Sequence, residues 1–372
     1  MMLTDAERND AERIRLGVHG WLEARTEGQE EGRFSFCSEG SRVPVTGHAA
    51  LFTTCFAMKI AWQTGAWAGW AESRRNAAIT FVRSFQEPDG VFRDPWLAAN
   101  SRPGPVRLLK AMLHRGGLRG ELERQPRNER AETRQAASTL RMVGESFAHR
   151  LPLPVRGAEE VRTYAEGLGW ENPWAAGSHL SHLAALATMN REAFGAREED
   201  TAIERAVLAV LEDYRDQRTG TWGKGNVPDD LRVNGAMKVL TALEWMQPVG
   251  MDHSTLLRFA LGRPFCADGC GFLNRLYVVQ QAWKRVPEAA RDETREQVGA
   301  LARAALESAL RFANADGGFS FYKGRAQHEY YGARISAGRP VGELHGTMLM
   351  TWAVAIALDL LGGAEGWRCP RP

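Results

Sequence analysis

The chain has 372 residues, 44% of them apolar and 25% charged, with 47 Lys and Arg against 45 Asp and Glu. That length supports a substantial core in one large domain or two, while the near balance of charge disfavours nucleic acid or an anionic membrane held by bulk electrostatics. Five cysteines at irregular spacing make no disulfide framework and fit reduced thiols in a cytoplasmic protein.

The N-terminal stretch MMLTDAERNDAERIRL carries charges and no apolar signal core. Residues 5–26 read as an amphipathic surface helix, followed by the Gly-aromatic loop EGRFSFCSEG. A buried helix from His48 to Trp62 comes next, with Thr46 as its expected cap. The order then repeats: residues 70–86 form an outer helix, EPDGVFRDPW a loop, and either residues 103–117 or residues 133–150 an inner helix. Between those candidates, the charged stretch 119–133 is expected to be an irregular insertion or linker. Further pairs follow at 154–170 with 179–190, 198–217 with 231–246, 251–262 with 273–286, and 293–314 with a last helix that contains the longest apolar run, Thr347 to Leu358. That run is short of the roughly 20 residues that cross a bilayer.

Six outer–inner pairs emerge, and each connecting loop holds an aromatic residue (Phe34, Phe92, Trp170, Trp222, Phe272, Phe319) within three residues of a Gly. Charged outer helices and apolar inner ones, repeated within a single domain spanning 1–372, predict an all-α (α/α)6 toroid of two concentric helical rings. The repeated surface helix, DGxF or GxW loop and buried helix resemble the terpenoid cyclase and protein prenyltransferase toroid superfamily. Related (α/α) toroids also occur among glycan hydrolases and lyases, so the fold alone does not choose a reaction. The DxDD acid motif of class II cyclases is absent; Asp229 and Asp230 are the nearest approach. The prenyltransferase resemblance implies a zinc set of Asp268, Cys270 and His345. Locally, Asp268 occupies the same loop slot as Asp89 and Asp316, which turn chemistry explains without metal.

The expected inner-helix entrances collect polar residues: His48, His179 with His182, the run Asp229, Asp230, Arg232 and Asn234, then Asn274 with Arg275, and finally Glu343 with His345. Imidazoles recurring at helix starts, where Ser, Thr, Asp or Asn are the usual caps, point to chemistry. Glycoside hydrolysis needs a proton donor and a second carboxylate, for which Asp229 or Asp230 pairs with Glu343. Elimination needs a base such as His179 or Tyr331, with Arg232 and Asn234 neutralising a uronate carboxylate. Trp174, Trp222 and Tyr330 are expected to contact a small-molecule or oligosaccharide substrate. The competing readings are an isoprenoid enzyme with Phe52, Phe56, Tyr277, Trp283 and Trp352 lining its cavity, and a non-catalytic interaction protein. Dinucleotide and P-loop motifs, and the GxSxG nucleophile elbow, are absent from the sequence.

Overall fold

A computed structural model of the chain describes residues 2–44, 50–102, 112, 124–248 and 250–372. Thr46, His48 and the candidate helix 103–117 lie outside the described residues. In chain order the helices are α1 (Asp5–Glu23), α2 (Leu51–Gln63), α3 (Ala66–Gly69), α4 (Glu72–Arg83), α5 (Pro95–Asn100), α6 (Arg124–Met142), α7 (Ala158–Glu166) and α8 (Pro173–Phe194). They continue with α9 (Glu198–Asp213), α10 (Asp229–Met246), α11 (Ser254–Leu261), α12 (Gly269–Lys284), α13 (Glu288–Ala309) and α14 (Leu344–Leu360). The protein is all-α with extensive helix–helix packing; among the described residues the one sheet is an antiparallel pair, β1 (Glu329–Tyr330) and β2 (Ala333–Arg334).

The chain divides into two compact units. One comprises Met1–Arg15, Leu151–Arg311 and Leu349–Pro372; the other comprises Leu16–Arg150 and Phe312–Met348. Helices α1 and α14 contribute residues to both.

In the first unit the apolar helices pack in sequence, α8 on α10 and α10 on α12, while α7 packs on α9 and α11 on α12 and α13. The α8–α10 crossing is close because two glycines meet it. A Cβ on Gly235 would stand 2.6 Å from the Pro173 Cβ, and one on Gly177 would stand 3.2 Å from the Gly235 carbonyl oxygen. Helix α8 begins at Pro173, six residues before the expected start at His179. The reason is a local start signal: the Asn172 side chain accepts from the Ala175 N–H at 3.2 Å, and Pro173 stands in the first turn. His179 is therefore inside the helix, and Trp174, expected in a loop, is in its first turn.

In the second unit α2 packs on α3, α4 and α6, and α4 also packs on α6. The aromatic loops share a geometry across the chain. Backbone bridges join Gln86 to Phe92, Arg215 to Trp222 and Ala313 to Phe319, and Gly90, Gly220 and Gly317 take the positive φ these turns need. The Phe92 N–H donates to the Thr133 hydroxyl at 3.0 Å, as the Phe319 N–H does to Thr347 at 2.9 Å. The shared bond makes α6 the counterpart of α14. Of the charged stretch 119–133, residues 119–123 lie outside the described residues, and the expectation is corrected for the rest: residues 124–133 are helix, with Asn128, Glu132 and Thr133 buried, rather than an irregular excursion. The β1–β2 hairpin was not expected. Its two central residues, Tyr331 (φ 48°) and Gly332 (φ 90°), are both left-handed, as a tight hairpin turn requires.

Candidate functional site

The second unit contains a cleft of about 230 Å³ between the Glu87–Ser101 segment and α6. Helix α6 brings Gln125, Asn128, Glu129 and Glu132 to it because they recur at three- and four-residue spacing on one helix face. Across the cleft stands Asp94, 5% exposed. Its carboxylate accepts from Leu97 N at 2.9 Å at the start of α5 and from Leu51 N at 2.8 Å at the start of α2. Burial lifts its pKa to about 6 against the pull of those amides.

Glu132 is 2% exposed. Burial pushes its pKa to about 8; the Tyr330 hydroxyl and Lys59 pull it down while the charge of Asp94 raises it further. Tyr330 donates to Oε1 at 2.7 Å, and among the described residues Oε2 has no partner. Nearby on the same helix, Asn128 donates to the Tyr331 carbonyl at 3.4 Å, but its own Oδ1 is unpartnered among the described residues. Two buried polar atoms without partners beside one cleft are a cost unless something hydrogen-bonds them. At neutral pH a protonated Glu132 offers a donor, and Asn128 Oδ1 offers an acceptor.

Behind Glu132 stands an aromatic group. Tyr330 packs against Phe52 at 4.7 Å and Phe56 at 5.8 Å, and Phe52 touches Trp96 at 6.2 Å. The His345 ring stacks on Phe56 at 4.7 Å and meets Tyr330 edge-on at 5.7 Å. Its Nδ1 donates to Gln327 Oε1 at 2.6 Å. Burial, with Lys59 adding to it, lowers the His345 pKa to about 3, so the imidazole is neutral in ordinary buffers. Lys59 on α2 is itself lowered to about 8 by burial.

The residues singled out from sequence separate into several settings. Tyr330, Tyr331 and His345 come together in this cluster, with Tyr330 and Tyr331 rings 4.4 Å apart. Glu343 is fully buried and its carboxylate is taken up locally, accepting from Phe321 N (2.9 Å), His345 N (2.7 Å) and Gly346 N (2.9 Å). Burial raises its pKa to about 7, yet its contacts are those of a carboxylate that caps α14. In the other unit, Asp229 is paired with Arg263, Asp230 is exposed, and buried Arg232 binds Asp216 at 2.9 Å and the Val227 carbonyl at 3.0 Å. Asn274 donates to Asn234 at 2.8 Å, and His179 Nδ1 lies 2.7 Å from the Tyr164 hydroxyl.

His182 is buried at 7% exposure, and Trp174 is exposed with the Lys238 ammonium 5.8 Å over its ring. Trp222, expected to stack on substrate, is fully buried; its ring plugs the core because its loop folds back on Arg215. Asp268 caps α12 by accepting from Gly271 N at 2.9 Å. Among the described residues no group of three or more His, Cys, Asp or Glu could hold a metal, so Asp268, Cys270 and His345 do not form such a group.

Sequence reasoning missed Glu132, Asp94, Asn128 and Lys59. Asp94 was legible in hindsight, because Asp-Pro after an aromatic loop is a helix start. Comparison of the chain with protein-family models, curated proteins and solved structures finds no match.

Proposed function

We propose that the protein is an acid–base enzyme acting on a polyhydroxylated, oligosaccharide-like substrate in the Asp94–Glu132 cleft. The observation that carries this reading is Glu132: a carboxyl kept protonated to about pH 8, with one oxygen held by Tyr330 and the other, beside the cleft, unpartnered among the described residues. Hydrolysis needs a proton donor of raised pKa and a second carboxyl that is ionised at working pH. Glu132 and Asp94 meet that description. Glu132 gives its proton to the glycosidic oxygen as the C–O bond breaks, and Asp94 takes a proton from the attacking water. The second carboxylate thus falls to Asp94 rather than to Asp229, Asp230 or Glu343.

The aromatic group of Phe52, Phe56, Trp96 and Tyr330 favours a second reading, an isoprenoid cyclase-like enzyme. It ranks lower because a carboxyl titrating near 8 is a weak acid for protonating an alkene. The toroid belongs to the proposal as well: the repeated aromatic-loop bridges and the stepwise packing of α8, α10 and α12 support a closed array of helical hairpins. A cytoplasmic setting is supported by five free cysteines. No helix among the described residues is long and apolar enough to cross a membrane.

The test is a reducing-sugar assay over a panel of neutral and acidic glycans, with ultraviolet absorbance to register elimination products. Glu132→Gln keeps the shape and the Tyr330 bond, and is expected to lower kcat/KM by about 10²- to 10⁴-fold, the usual worth of a general acid. An isoprenoid product with no glycan cleavage would transfer the site to the second reading. A fully active Glu132→Gln would remove Glu132 from either mechanism.

A further inference from the structure

A second cleft of about 220 Å³ opens in the same unit, lined by Arg42, Arg325, His328, Arg334 and the Ser336–Gly338 turn. Its chemistry is unlike that of the first. Three arginines and a histidine line one concavity, and among the described residues none of the three arginines forms an ion pair, whereas Arg74, Arg93 and Arg339 elsewhere in the unit all do. The hairpin register sets Glu329 opposite Arg334, and no ion pair joins them. Like charges gathered in a concave wall repel one another and raise the local concentration of anions.

The positions are fixed by backbone contacts. Arg42 N donates to the Ile335 carbonyl at 2.9 Å, Ala337 N donates to Gly40 at 2.8 Å, and Ser41 bridges Ser336. Arg325 is paired through its backbone to Tyr322 in both directions, and its guanidinium lies 4.9 Å over the Tyr322 ring. The Ser336 hydroxyl is committed to the fold, donating to the Gln327 carbonyl at 2.6 Å and accepting from Gly338 N at 3.0 Å. A ligand is therefore met by the guanidinium forks, which suit the oxygens of a tetrahedral oxyanion.

We infer that this cleft binds a phosphate or sulfate group, either as the free ion or as an ester. The inference is independent of the reaction assigned to the first cleft and is read by binding without turnover. Calorimetric titration of the full chain at low salt with inorganic phosphate, inorganic sulfate, glucose 6-phosphate and glucose 6-sulfate is expected to show one saturable site for at least one of them. Affinity should fall as salt is raised. Arg42→Ala and Arg334→Ala should each weaken binding by about 10-fold or more, the loss expected of a charge-assisted contact. Arg339→Ala, whose partner is Glu39, should not, and Arg334→Lys should retain part of the affinity while controlling for folding. An ester that binds tighter than its inorganic ion marks the ester as the ligand; equal affinities mark the free ion. Absence of saturable binding by all four compounds, or equal affinity in Arg42→Ala and Arg334→Ala, overturns the inference.

Discussion

Glu132 joins the proposed acid chemistry to a stability linkage in one side chain. Its folded pKa of about 8 lies above the unfolded value of 4.5, so between those limits the folded chain binds more protons than the unfolded one. Stability therefore falls as pH rises through that window, by up to ~1.4 kcal/mol per pH unit for one proton. Chemical denaturation from pH 5 to 8 should show this decline, and Glu132→Gln should make it shallower, the remaining slope coming from buried Asp94 and Glu343. The same group and Asp94 predict a bell-shaped kcat/KM profile with limbs near 6 and 8, and Glu132→Gln should abolish the alkaline limb along with most of the rate. Tyr330, Tyr331 and His345 were legible in the sequence because they crowd the entrance to an unmistakably apolar helix. Glu132 was not, because it stands in a run of charges whose composition signals solvent. What buries it is Tyr330, 198 residues further along the chain, and no local pattern encodes that contact.

Helices were legible wherever apolar periodicity was strong, and less so at their ends. Asn172-Pro173 shows the reason: a side-chain cap and a proline start α8 two turns ahead of its apolar stripe. Asn172→Ala should cost ~0.5–2 kcal/mol in thermal or denaturant unfolding, the usual worth of an N-cap. Gly235→Ala should cost more than an ordinary surface change, ~1–3 kcal/mol, because the added methyl meets the Pro173 backbone carbon at 2.9 Å as well as its ring. A Gly235→Ala variant as stable as the parent would show that α8 and α10 can move apart at little cost. The β1–β2 hairpin escaped the sequence reading for a simple reason. Two-residue strands have no alternation to detect, and Tyr-Gly is a weaker turn signal than Asn-Gly.

Across the whole chain the cysteines make a prediction that does not depend on the reaction. All five are free, and burial pushes Cys37, Cys55 and Cys369 up to about 12. Mild alkylation near neutral pH should label Cys266 and Cys270 first, unfolding should expose all five, and reductant should leave the Tm unchanged. The all-α class was readable at this scale from the apolar periodicity of the helices, whereas the location of the cleft was not. Its walls, the Glu87–Ser101 segment and α6, are near neighbours in the chain, but the Tyr330 hydroxyl that holds Glu132 comes 198 residues later, and that separation sets a schedule for biosynthesis. At ~5–20 residues per second, a ribosome takes roughly 10–40 s to travel from Glu132 to Tyr330. Throughout that interval the nascent α6 carries Glu132 without the Tyr330 hydroxyl that bonds it in the folded chain, making it a candidate client for a chaperone that holds the chain until the hairpin arrives.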